Sequence, residues 1–456
     1  MKRLLTYVVG AGLVGLQIGF AVSPAPILDP EIQGIAAAID SKRIDASIQK
    51  LAAFGTRNTC SSNTSSTRGI GAARNWIRDQ FAAIPGMNVQ FDSFNLTNCG
   101  GTVTRQNVIA WLPGATNPNR IIVIGGHYDS RTTGVADGRS NAPGANDSGS
   151  QAAAVLEIAR VMAGKSYDAT LVFAAWAGEE QGLLGSSAFV RTNFRKYFPG
   201  GALELNLNCD IIGGDNTTNG AVEQQQFRLY SPGTPREIAQ TTDGSTDDTS
   251  PSRGVMRHVG YWAGGYVPAM AMLAKLREDR VGRGGDHESF ISQGIPGVRF
   301  IEPVENLAHQ HSPNDLYSFV TPAYTARVAQ VMAAVGASLA KASKPPASLN
   351  VSLSGSDIQA AWTAPLAGPA VHHYVVGARL STDNFYQARI TVPATALSAT
   401  LGIQQDLGIA PGSAFWVSVA AVDAFGHESL FAYPEYRCTA AGCSVPSDAL
   451  NVTASN

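Results

Sequence analysis

"RIIVIGGHYDS", residues 120–130, decides how this chain is built. Four apolar residues in succession, Ile121 to Ile124, describe a strand covered on both faces, because alternation disappears when neither side meets water. Strands of that kind belong to α/β sheets, and this one ends on His127 with Asp129 two residues beyond. In open α/β sheets ligands collect at the carboxyl edge, where such a strand releases its chain. A histidine there either finishes the strand structurally or binds a metal with Asp129 orienting its ring.

The surrounding pattern extends the sheet. "ATLVFAAWAGEE", "ALELNLNCDIIG" and "GVRFIE" read as further buried strands, alternating with helices. "SGSQAAAVLEIARVMAG" is a helix stopped by Gly164, and "TPAYTARVAQVMAAVGASLAKA" closes the unit. An amphipathic helical pattern fills 24–55. After the Pro/Ser-rich "SKPPASLNVSLSG" at 343–355, short alternating strands replace it: "DIQAAWTAP", "VHHYVVGARL", "ARITVPATALSATL" and "AFWVSVAAVDAFGHES". The expected architecture is a mixed, mostly parallel sheet sandwiched by helices over 24–345, then a small all-β sandwich over 346–437 and a tail from 438. Trp362, Tyr374 and the alternation Phe415, Val417, Val419, Ala421 resemble the core of a fibronectin type III domain.

Four stretches raise the standing of His127. "GANDSGSQAAA" puts Asp147 in a Gly-flanked turn before a helix, where it is a helix cap or a ligand. "WAGEEQGLLGS" sets Glu179 and Glu180 behind another apolar strand. "NLNCDIIGG" ends a strand on Asp210, and a carboxylate in so apolar a run needs a partner. "LAHQHSPNDLY" adds His309 and His311. Together these are the ligand types zinc prefers, at the ends of successive elements.

With "GGHYDS", "GANDSGS", "GEEQGLLGS", "NCDIIG", "GGDHESFISQGIPG" and "HSPND" in this order over 107–340, the chain resembles the co-catalytic zinc aminopeptidases of the bacterial leucyl aminopeptidase type. Glutamate carboxypeptidase and the glutaminyl cyclases share that family. The resemblance implies two Zn²⁺ per chain: His127 and Asp210 on one, Glu180 and His311 on the other, Asp147 bridging. It implies Glu179 as general base, Asp129 orienting His127, and a cis peptide between Asp147 and Ser148. Asp286 and His287 match a family motif and receive no role. The implied activity is release of N-terminal residues from peptides through a water bound by the zinc pair, with carboxypeptidase or dipeptidase as alternatives. A glutaminyl cyclase or a non-catalytic binding protein fits less well, since all six metal and base positions are filled. For a carboxypeptidase, Arg253, Arg257, Arg280 and Arg283 are candidates to hold a terminal carboxylate.

The 456 residues carry 33 Lys+Arg against 35 Asp+Glu, a net charge of −2. That balance argues against nucleic acid or anionic membrane as partner; the resemblance implies peptide or protein substrates, and a monomer is the expectation. "MKRLLTYVVGAGLVGLQIGFAVSPA" has the layout of a secretory signal over 1–23, so export is expected, with no stable membrane insertion after cleavage. In an oxidising compartment Cys60 is expected to pair with Cys99 and Cys438 with Cys443. Cys209, inside "LNLNCDII", is expected to stay reduced.

Overall fold

The computed structural model describes residues 27–214, 223–233, 250–279 and 283–446, so the expected export signal and Arg280 lie outside the described residues. Eight strands form one sheet: β1 (Asn88–Leu96), β2 (Val103–Leu112), β3 (Asn117–His127), β4 (Ala169–Trp176), β5 (Ala202–Cys209), β6 (Gln226–Tyr230), β7 (Ala271–Lys275) and β8 (Gly297–Ile301). Their order is β1-β2-β4-β3-β5-β8-β6-β7. The central run β4-β3-β5-β8 is parallel, whereas β1, β2 and β6 join antiparallel.

The apolar run of β3 is divided between two layers. Ile122 and Ile124 pack into the large core with the helices Ser41–Ala52, Gln151–Met162 and Pro322–Lys341. Ile121 and Val123 meet Trp176, Phe189, Phe194, Phe198 and Phe290 on the other face. Both faces are therefore dry, as a continuous apolar strand requires. The amphipathic pattern of 24–55 resolves into two helices, Pro30–Ala37 and Ser41–Ala52. Asp29 and Asp40 cap them, each accepting a backbone N–H two residues on, at 2.7 and 2.8 Å.

The C-terminal strands are β9 (Pro346–Ser354), β10 (Asp357–Pro365), β11 (His373–Leu380), β12 (Ala388–Pro393), β13 (Ser398–Gly402), β14 (Phe415–Val422), β15 (Tyr436–Thr439) and β16 (Gly442–Ser444). They make two antiparallel sheets, β13-β10-β9 and β12-β11-β14-β15-β16, that share one core. Trp362 of the first meets Tyr374 of the second edge-on at 5.3 Å. Residues 438–444, expected as part of a tail, are the last two strands of the larger sheet, closed by Cys438–Cys443. The second disulfide is Cys60–Cys99, and Cys209 is a buried free thiol. Among the described residues no helix is long and apolar enough to cross a membrane.

This β unit is seated on the α/β unit through charged contacts. Arg257, from the helix Pro251–Tyr266, reaches Glu435 at 2.7 Å, whose other oxygen meets Arg379 at 3.1 Å. Arg389 lies 3.8 Å over the ring of Tyr261.

Candidate metal centre

Three neighbouring strands deliver the site. β3 ends on His127. After β4 the chain turns at Gly178, whose φ of 74° suits a residue without Cβ, and presents Glu179 and Glu180. Asp210 follows β5 directly. Because β4, β3 and β5 lie side by side, all three exits open at one edge of the sheet. Asp147 enters from the turn before the helix Gln151–Met162, and its peptide bond to Ser148 is cis. His311 comes from the loop beyond β8.

The side chains converge in two groups. His127 Nε2 lies 3.3 Å from Asp147 Oδ1, 3.4 Å from Asp210 Oδ1 and 4.0 Å from Glu179 Oε2. His311 Nε2 lies 3.0 Å from Asp147 Oδ2 and 3.3 Å from Glu180 Oε2. Asp147 thus gives one oxygen to each histidine. Its Oδ1, and Oε1 of Glu180, are buried without a hydrogen-bond partner. So many carboxylates in so little water need a cation to offset their desolvation. The donor set, imidazole nitrogen with carboxylate oxygen, fits zinc: His127, Glu179 and Asp210 bring ligand atoms together in one group and Asp147, Glu180 and His311 in the other, with Asp147 Oδ1 also beside His127.

Burial raises the Glu179 carboxyl well above the ordinary range, against the pull of His127, and pushes Glu180 up to about 7. Asp147 moves the other way: burial opposes its charge, yet His127 and His311 hold it well below the usual value. One pocket thus contains carboxylates driven in opposite directions, a pattern typical of functional sites.

A second layer fixes these groups. His127 Nδ1 meets the main-chain oxygen of Asp129 at 3.1 Å, with the Asp129 carboxylate at 3.5 Å. That carboxylate accepts the backbone N–H groups of Glu179 and Glu180, both at 3.3 Å, and the Thr59 hydroxyl at 3.1 Å. Asp129 therefore orients both glutamates as well as the histidine. Asp315 accepts the N–H groups of Asn146 and Asp147 at 2.8 Å. Arg299 holds Asp210 Oδ2 at 2.8 Å, and Arg131 meets Glu180 at 2.6 Å and His311 Nδ1 at 2.7 Å. Sequence reasoning missed Thr59, Arg131, Arg299 and Asp315. For Asp315 a signal existed, since it ends the "HSPND" motif.

Other candidates fall outside the cluster. His309 stacks on Phe319 at 3.8 Å. Arg253 donates to the Leu276 carbonyl, and Arg257 is committed to Glu435. Asp286 and His287 are buried, 0% and 1% exposed, and belong to neither metal group, although Asp286 lies within electrostatic reach of His127 and Asp210. Arg283 does line the cavity, of about 490 Å³, together with both metal groups, Arg131, Glu288 and Arg299. Leu183, Ile211 and His311, the non-glycine residues with φ of 58°, 51° and 52° among those described, also line it. Left-handed backbone costs about 1–3 kcal/mol per such residue and gathers where function demands it.

The profile of peptidase family M28 matches residues 107–336. The chain belongs to that family. A probable zinc metalloprotease of Phaeosphaeria nodorum is 35% identical, covering 76% of this chain and 77% of the relative. One of Pyricularia oryzae is 39% identical over 75% and 72% of the two chains. Among solved structures, LapA aminopeptidase of Legionella pneumophila superposes with a TM-score of 0.51 at 19% identity, covering 68% of this chain and 74% of its own. LapB from the same organism gives 0.52 at 19%, covering 69% and 76%. The M28 chain is thus a zinc metalloprotease, acting on peptide or protein substrates, and its sheet is of the zinc aminopeptidase fold.

Proposed function

We propose that this M28 peptidase is an exported aminopeptidase that works with two zinc ions. The observation that carries the reading is the division of Asp147, with Oδ1 toward His127 at 3.3 Å and Oδ2 toward His311 at 3.0 Å. One carboxylate serving two histidines is the arrangement a bridging ligand requires. His127 and Asp210 would hold one ion and Glu180 and His311 the other. Asp129 orients His127 through its carbonyl and carboxylate.

When bound, zinc would polarise the scissile carbonyl and bring water close to neutral pKa. Glu179 then acts as general base: its carboxylate takes a proton from the attacking water and passes it to the leaving amine. Adjacent glutamates divide the work because Glu180 is turned to His311 while Glu179 stands 4.0 Å from His127.

Aminopeptidase is preferred to carboxypeptidase for a reason of charge. The cavity's arginines already face protein carboxylates: Arg131 with Glu180, Arg283 with Glu305 and Asp279, Arg299 with Asp210. A terminal substrate carboxylate would have to compete for them, whereas a free α-ammonium could be held by Glu179 or Glu180, which line the same cavity. The β unit over 346–437 is read as fibronectin type III-like and as a stabilising spacer, supported by its two-sheet core and its seat on the Pro251–Tyr266 helix. Export is supported by the two disulfides.

The test is purified protein assayed on aminoacyl amides, N-blocked peptides and dipeptides, with zinc content measured in parallel. Two zinc ions, and activity confined to free N-termini, are expected. Glu179→Gln should keep its zinc and lose about 10²–10⁴-fold in kcat. Cleavage of N-blocked peptides from the carboxyl end would replace the aminopeptidase reading.

A further inference from the structure

Arg57 is fully buried, lies outside the segment matched to the M28 family, and spends all but one of its hydrogen bonds on the strand exit and the turn that carry His127 and Asp147. Nε donates to the Tyr128 carbonyl at 2.7 Å. Nη1 donates to Leu51 at 3.0 Å and Pro143 at 2.6 Å, and Nη2 to Gly144 at 2.8 Å and the Ser148 hydroxyl at 3.4 Å. A guanidinium has five N–H groups in a fixed plane, and here there are five acceptors. The acceptors belong to the end of a helix, the exit of β3 between His127 and Asp129, and the turn carrying Asp147. The Arg57 backbone N–H also donates to Ser130 Oγ at 3.0 Å, and Ser130 in turn donates to the Ala142 carbonyl at 2.7 Å. The Ser148 hydroxyl, beyond Arg57, donates to the Asp129 carbonyl at 2.5 Å, the same oxygen that meets His127 Nδ1.

We propose that Arg57 is a positioning residue that sets the separation of His127 and Asp147, and with it the affinity of both zinc ions. It touches neither substrate nor metal. Its plane is the rigid template on which the strand exit and the Asp147 turn are laid together. There is little slack in that turn: a Cβ on Gly144 would stand 2.5 Å from Ser130 Cβ and 3.0 Å from Arg57 Nη2. A guanidinium is a costly way to fill a core, since apolar packing of equal volume is usually as stable or more so. Five main-chain and hydroxyl acceptors drawn from both sides of one metal centre account for its presence. The inference rests on the reading that Asp147 bridges two ions.

The test compares Arg57→Lys with wild type in zinc affinity, measured by competition with a chromogenic chelator well below the melting temperature. Lysine keeps the charge and stem but has three donors on a flexible tip. Both zinc affinities are expected to fall together by about 10- to 100-fold, the cost usual for an outer-layer partner, with cooperative melting retained. Arg120→Lys serves as control. That buried arginine pairs with Asp168 and Glu204 near the other end of β3, so its loss should lower melting and leave zinc affinity unchanged. A folded Arg57→Lys with wild-type affinities overturns the proposal, as does an equal loss in Arg120→Lys. Should Arg57→Lys fail to fold, Ser148→Ala decides instead, because it removes the hydroxyl linking Arg57 to Asp129. Weakening of both ions supports the proposal, and wild-type affinity overturns it. Failure of the wild type to hold two ions would count against the bridging assignment itself.

Discussion

In the proposed centre Asp147 is the bridge, and its two oxygens make a prediction that no other proposed ligand makes. Asp147→Ala should weaken both zinc ions together, whereas Glu180→Ala should weaken chiefly the ion shared with His311. Titration of metal-free protein, resolved into two binding steps, checks this, and an Asp147→Ala variant keeping one wild-type step would remove the bridge. The residues that converge in the two groups were legible in the sequence because metal chemistry restricts residue type and the fold restricts position to strand ends and turns. The residues that hold them were not. Arg57 and Thr59 reach Tyr128 and Asp129 across 71 and 70 positions of chain. A guanidinium that bonds main-chain carbonyls leaves no pattern in the residues it serves. Arg131 was hidden differently: it follows the "HYDS" stretch, but an arginine beside a cation site runs against electrostatic expectation until Glu180 is seen next to it.

At the level of elements, β3 is both core and platform, and its glycines show why. Gly125 lies two residues before His127, opposite Ala174 of β4. A Cβ there would stand 2.6 Å from Nε1 of Trp176, which is fully buried against Phe189 and Phe290. The indole cannot retreat without disturbing that aromatic layer. Gly125→Ala should therefore cost about 1–3 kcal/mol of stability despite adding only a methyl group. Denaturant unfolding measures it, and an unchanged midpoint would mean the layer is softer than its packing suggests. The same comparison explains which elements could be read in advance. β3 and β4 hold buried apolar runs, β5 and β8 alternate apolar with buried polar residues, and the Pro322–Lys341 helix is long, apolar and opened by proline. The strands β6 and β7 and the Pro251–Tyr266 helix escaped because polar and small residues interrupt them. "QFRLY" spends its arginine on Glu302 and Glu305, and the helix spends Arg257 on the β unit. Those partners exist only in the folded chain.

Across the whole molecule the same device recurs where the two units meet, and there it can titrate. His427, 5% exposed, places Nδ1 2.7 Å from Asp423 of its own sheet unit and Nε2 2.8 Å from Asp29, the cap of the Pro30–Ala37 helix. Lys341 is the nearby cation, 3.9 Å from the same Asp29 oxygen. Burial works against a charged imidazole, but the two carboxylates prevail and raise the His427 pKa. A group whose folded pKa is raised stabilises fully below its unfolded value, about 6.5, and loses that contribution as pH rises through the folded value. Near pH 6 the wild type should thus exceed His427→Asn by about 2–3 kcal/mol, the worth of charge-assisted bonds lost while two carboxylates remain. As pH rises through that raised folded value the imidazolium deprotonates in the wild type, and the gap should narrow, since asparagine offers a neutral amide at every pH. Melting midpoints of the two proteins across that range measure it. His427 holds the Asp423 carboxyl below its ordinary range, so the change is assigned to the histidine, and a gap that is constant with pH would show that His427 does not link the two units by its charge.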